Sequence, residues 1–210
     1  MTDSPARLVV LISGNGSNLQ AILDACAGGS LPARVTAVFS DKPDAFGLIR
    51  AGRAGVPAIL FPKGRGDERR EYDRRLADEV LKFQPDYIIL AGWMRILSAE
   101  FLDRFPGRII NLHPALPGTF PGTHAIQRAY EAWQRGKIDK TGVMVHLVPD
   151  EGVDSGPVLG MTEIEFQPGE SLNALEQRIH SAEHSLLVET MKEVIGRMPG
   201  PPDAVKKPQP

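Results

Sequence analysis

The sequence of 210 residues contains a single cysteine, Cys26. One thiol excludes an internal disulfide framework and a cysteine metal cluster. Its place inside a predicted helix assigns it the role of a small buried hydrophobe. Long apolar runs are missing as well: none approaches the roughly 20 residues that cross a bilayer as a helix. Met1 to Arg7 lack the regions of a signal peptide. Neither sign of charge is in excess, with 24 Lys and Arg against 26 Asp and Glu and a net charge of −2. That balance argues against an electrostatic binder of nucleic acid or membrane surfaces. The expectation is a protein of the reducing cytoplasm, monomer or homodimer, whose partners are small molecules.

What is present is an alternation of strands and helices. Short aliphatic runs predict strands at Leu8–Ile12, Arg34–Phe39, Pro57–Leu60, Asp86–Leu90 and Arg108–Leu112. Between them, helices are predicted at Leu19–Cys26, Ala45–Ala54 and Asp67–Phe83, the last apolar at Tyr72, Leu76, Val80 and Phe83. A helix at Thr123–Gln134, an antiparallel pair at Thr141–Val148 and Val158–Phe166, and a long helix at Ser171–Ile195 follow. Ser171 is its natural cap. This order predicts an α/β fold: an open, mainly parallel twisted sheet, helices on both faces, and the antiparallel pair near the C-terminal part. The length suits one domain, drawn at residues 1–197. Residues 198–210 hold five prolines and are expected to form a mobile tail.

Asn111-Leu112-His113-Pro114 is the most informative stretch. Strand side chains alternate, so the amide and the imidazole point the same way and Leu112 the other. Pro114 donates no hydrogen bond and ends the strand. A donor and a titratable group then sit side by side at a strand's carboxyl end, where parallel α/β sheets hold ligands. By itself an Asn-x-His pair fits a solvated strand end better. A second unusual segment shifts the balance. Asp150 to Pro157 carries three carboxylates and two glycines between two predicted strands.

Ser13-Gly14-Asn15-Gly16-Ser17-Asn18 joins a buried strand to a helix. Glycines there permit close backbone approach, and the helix start offers free N–H groups to a phosphate. The loop lacks the third glycine of a dinucleotide fingerprint and the lysine of a Walker motif. A single phosphate fits it. So, equally well, does an ordinary turn in which Ser17 or Asn18 caps the helix.

Taken in order, Leu11–Gln20, Phe39–Lys42, Ala45–Leu48, Leu90–Ser98, Asn111–Pro114 and Asp150–Pro157 resemble the folate-dependent formyltransferases, from about Leu8 to about Val194. The resemblance implies a Rossmann-like fold and no metal. It also implies formyl transfer from 10-formyltetrahydrofolate to the amine of glycinamide ribonucleotide in de novo purine biosynthesis. Asn111, His113 and Asp154 match the family's catalytic set. Gly16, Ser17 and Asn18 match its phosphate site, and Glu183 a contact to the sugar hydroxyls. Met94, Arg95, Ile96 and Leu97, with Asn111, match the folate pocket. For Met94 to Leu97, core packing after a strand is the alternative. Arg69 matches a contact to the folate glutamate tail, or forms part of a solvated helix face. His146 matches a histidine near the site, and is equally a strand histidine satisfied by backbone.

The chain departs from the family pattern at Ala115-Leu116-Pro117-Gly118-Thr119, at Met144 and at His180, which bears on substrate contacts more than on the reaction. Relatives that formylate transfer RNA or hydrolyse the formyl donor are expected less, because they carry an added domain. His180-Ser181-Ala182-Glu183-His184 also fits the H-x-x-E-H zinc pattern, without a third ligand in view. A nucleotide-binding module using only the glycine loop would leave Asn111, His113 and Asp154 without a role.

Overall fold

β1 (Ala6–Ile12) is apolar at every position except Arg7, and it is covered on both sides. In the computed structural model, which describes residues 4–197, Leu8, Val10 and Ile12 enter one core layer with α1 (Ser17–Ala27) and α6 (Leu172–Gly196). Val9 and Leu11 enter a second layer with α3 (Arg69–Leu81) and α4 (Ala99–Leu102). Burial on both faces is why the strand lacks polar alternation.

Seven strands form one sheet in the order β3 (Ala58–Leu60), β2 (Ala33–Ser40), β1, β4 (Tyr87–Leu90), β5 (Ile109–His113), β6 (Lys140–Leu147), β7 (Val158–Glu165). The first five are parallel; β6 runs antiparallel to both its neighbours. α2 (Phe46–Arg53) and α5 (Ala125–Gln134) complete the helices. The predicted α/β architecture is therefore the observed one. Strand order reverses between β1 and β4, so the loops leaving their carboxyl ends diverge and open a crevice.

Several boundaries differ from expectation for local reasons. α3 begins at Arg69 rather than Asp67 because Glu68 is its cap, accepting from the Glu71 N–H at 3.0 Å. α4 was not expected, since a single turn is too short to display a period. Ser171 caps α6 as predicted, accepting from the Ala174 N–H at 3.2 Å. Cys26 is half-buried at the edge of the first layer rather than fully enclosed, and burial pushes its thiol up to about 11. No helix among the described residues is long and apolar enough to cross a membrane. The tail expected over 198–210 lies outside the described residues.

Candidate active site

β5 carries Asn111 and His113 on one face, while Leu112 packs in the first core layer. The antiparallel register with β6 sets His146 opposite Asn111 and Met144 opposite His113. Cross-strand partners share a face, so all four side chains converge. Asp154 arrives from the acidic loop with a left-handed backbone, φ 50°, a conformation that aspartate tolerates better than most residues.

Asn111 Nδ2 donates to Asp154 Oδ1 at 2.9 Å and lies 3.2 Å from His146 Nε2. His146 Nδ1 is 2.8 Å from the Leu147 carbonyl, which can only accept. His146 Nδ1 therefore carries a proton, and Nε2 faces both the Asn111 amide and, at 3.6 Å, Asp154 Oδ1. An oxygen entering here must displace one of these contacts to the Asn111 amide. Backbone thus satisfies one His146 nitrogen, and the other stands beside Asn111.

His113 is 5% exposed, with Nδ1 at 3.2 Å from Asp154 Oδ2 and Nε2 at 3.1 Å from the Phe120 carbonyl. Burial pulls its pKa below the ordinary histidine value, against the Asp154 charge and the Phe120 carbonyl, which favour the cation. Both neighbours are acceptors, so only the doubly protonated ring satisfies both. A ring held between two acceptors is placed to hand a proton to a reacting group. For Asp154, burial works upward, but the His146 side chain, the Gly122 N–H and the His113 charge bring its pKa below the ordinary carboxylate value. The Gly122 N–H donates to Asp154 Oδ2 at 2.8 Å.

The glycine loop is shaped by backbone contact. Gly16, at φ 74°, is the N-cap of α1, and no side chain caps this helix. Ser17 and Asn18 are thus not caps, because a left-handed Gly16 already turns the chain. A Cβ on Gly16 would lie 2.8 Å from Gly47 Cα. Arg50 of α2 braces the loop through the Asn15 carbonyl and side chain, both at 2.9 Å. On α6, which packs against α1, buried Glu183 accepts from Asn18 Nδ2 at 3.4 Å and meets His180 Nδ1 at 2.7 Å. That bond raises the His180 pKa. Asn18 Oδ1 is buried and, among the described residues, has no partner. His180 is committed to Glu183, and the described residues contain no cluster of three metal-ligating side chains.

The loop after β4 divides the group Met94 to Leu97. Met94 and Ile96 are 63% and 49% exposed and form an open apolar lip, whereas Leu97 is core. Arg95 stacks over the Tyr72 ring at 5.4 Å and reaches Asp41 at 3.6 Å. Arg69 pairs with Glu151 of the acidic loop, and Glu151 also accepts from the Ala99 N–H at 3.0 Å. It is neither free nor merely solvated. Beside Asp154 and Met144 lies a cavity of about 290 Å³, and past Val153 and Pro121 a wider recess of about 740 Å³ reaches His124 and Arg128. These volumes suit small-molecule ligands. The shifted segment Ala115–Thr119 closes on itself, with Thr119 donating from N and Oγ1 to the Leu116 carbonyl.

Ser13, Asp41, the Gly122 N–H and Glu151 had no role assigned from sequence. Ser13, Asp41 and Glu151 lie in segments that carry the family resemblance, the only signal the sequence held for them.

The comparisons with known proteins point one way. A formyl transferase family model matches residues 6–191. Phosphoribosylglycinamide formyltransferase of Schizosaccharomyces pombe is 48% identical over 202 residues, covering 90% of this chain and 97% of its own. The Escherichia coli enzyme of that name is 42% identical, covering 86% and 82%. Among solved structures, glycinamide ribonucleotide transformylase 1 of Geobacillus kaustophilus superposes with a TM-score of 0.85 at 41% identity, covering 91% and 100%. With the fold, the ordered motifs and this agreement together, the chain belongs to the formyl transferase family.

Proposed function

We propose that the protein transfers a formyl group from 10-formyltetrahydrofolate to the amine of glycinamide ribonucleotide, a step of purine biosynthesis. The observation that carries this is the meeting of Asn111, His113 and Asp154 within 2.9 to 3.2 Å. The nucleotide phosphate sits on the N–H groups of Gly16, Ser17 and Asn18 at the start of α1, where the helix dipole favours an anion. Glu183 accepts from the ribose hydroxyls. The folate ring lies along Met94, Arg95, Ile96 and Leu97, its edge bonded to their backbone, and its glutamate tail reaches Arg69 in competition with Glu151.

The substrate amine attacks the formyl carbon and forms a C–N bond, and the carbonyl oxygen becomes an oxyanion. Asn111 Nδ2 and protonated His113 donate to that oxygen, each worth about 10²- to 10³-fold in rate for donors so placed. Asp154 stabilises the imidazolium and, through water, takes the proton lost by the amine. Collapse breaks the bond to folate N10, which leaves with a proton from His113 as tetrahydrofolate. His146 keeps the Asn111 amide turned toward the site.

The test is an assay of purified protein with both substrates, expecting formylated nucleotide and tetrahydrofolate in equal amounts. Loss of the formyl donor without any requirement for the nucleotide would replace this reading with a hydrolase.

A further inference from the structure

We propose that Asp41 is a positioning residue for both substrates, its carboxylate tying the glycine loop to the folate-side loop through Ser13 and Arg95. The inference rests on the functional reading above. Asp41 directly follows β2, and its side chain is 2% exposed. Ser13 Oγ donates to Asp41 Oδ1 at 2.6 Å and accepts from the Met94 N–H at 2.9 Å. The Ser13 N–H donates to the Gly92 carbonyl at 3.0 Å. Arg95 Nη1 stands 3.6 Å from Asp41 Oδ2, on the face of Tyr72.

A carboxylate buried this deeply is costly unless its partners return the lost hydration. Here every partner lies on a loop at the carboxyl end of the sheet. Ser13 opens the glycine loop; Met94 and Arg95 belong to the lip that faces folate. None lies within a strand or helix. One carboxylate thus sets the spacing between the seat of the nucleotide and the seat of the formyl donor. Small errors in that spacing are expensive for a reaction between two bound substrates.

The test compares Asp41→Ala, Asp41→Asn and Ser13→Ala with the unaltered protein, reading kcat, both KM values and, by calorimetry, the Kd of glycinamide ribonucleotide and of tetrahydrofolate. Asp41→Ala is expected to raise both KM values about tenfold, the scale of one charge-assisted hydrogen bond. Asn keeps an oxygen for Ser13 but no charge for Arg95. Asp41→Asn should therefore restore the nucleotide KM to within about twofold while the formyl-donor KM stays raised. Ser13→Ala, which keeps the Asp41 carboxylate but cuts its link to both loops, should raise both. A merely structural role would lower the folded fraction, and with it apparent kcat, with both KM values unchanged. That result, or equal KM increases in Asp41→Asn, overturns the proposal. Protein that binds both ligands without turnover sinks the functional reading alone, and the two Kd values then decide on Asp41 by the same pattern. Protein that binds neither overturns both.

Discussion

The Asn111 amide nitrogen stands 2.9 Å from Asp154 Oδ1, although 43 positions separate the two residues in the chain. The strand supplies a donor whose direction is fixed by the pleat, and the acidic loop supplies the charge that orients it. The same carboxylate takes the Gly122 N–H and faces the His113 ring. One side chain therefore organises two donors and the loop beside them.

Replacing Asp154 with Asn removes the charge and keeps the shape. Turnover at saturating substrates should fall by at least about a hundredfold, the usual worth of a group that assists proton transfer, with both KM values nearly constant. Steady-state kinetics check this; KM increases with kcat retained would mean that Asp154 binds substrate and takes no part in the chemistry.

Acid should destabilise the fold through His113 and Asp154. The folded-state pKa of His113 is lowered from 6.5, so folding disfavours its charged form relative to the unfolded chain. Its contribution is complete above 6.5 and is lost as pH falls toward the lower, folded value. Asp154 is also lowered, from 3.8, and its contribution disappears at more acidic pH still. His180 works in the opposite sense: its raised pKa stabilises below 6.5, and that support fades as pH rises through the folded value. Melting temperatures taken from about pH 8 to about pH 5 should fall less steeply in His113→Gln than in the unaltered protein. Parallel curves would remove His113 from this account.

Gly16→Ala should damage nucleotide binding more than it damages folding. A side chain in the left-handed region costs roughly 1–2 kcal/mol. The new Cβ would also press on Gly47 Cα at 2.8 Å, so the loop must shift away from α2. The expected result is a nucleotide KM raised by about tenfold or more, with the formyl-donor KM little changed.

Glu151→Ala should leave thermal stability almost untouched, since the pair with Arg69 is about 40% exposed on both sides and such pairs contribute under about 1 kcal/mol. Its loss frees the acidic loop from the Ala99 N–H. Hydrogen exchange over residues 149–156 should therefore quicken, and kcat should drop severalfold as Asp154 loses its anchored loop. Unchanged exchange would show that Asp154 and Gly122 alone hold the segment.

Much of this molecule is local and hence visible in one dimension. The unbroken aliphatic run of β1 announces burial on both faces, the alternation of β5 aims Asn111 and His113 together, and Ser171 marks where α6 begins. Those inferences depend on strand alternation, or its absence, and on helix capping, local rules that any chain of L-amino acids must obey. Local rules fail where an element is too short to show a period, as in α4, or where glycine geometry replaces a side-chain cap, as at Gly16. They cannot tell which of Asp150, Glu151 and Asp154 turns inward; the resemblance to known formyltransferases singled out Asp154, and its left-handed backbone and the Gly122 N–H hold it there. The union of Ser13 with Asp41 across 28 positions and of Asn18 with Glu183 across 165 depends on strand order and helix packing. Such contacts exist only once the sheet has assembled, because no local pattern encodes the distance between loops that separate strands carry to a common edge.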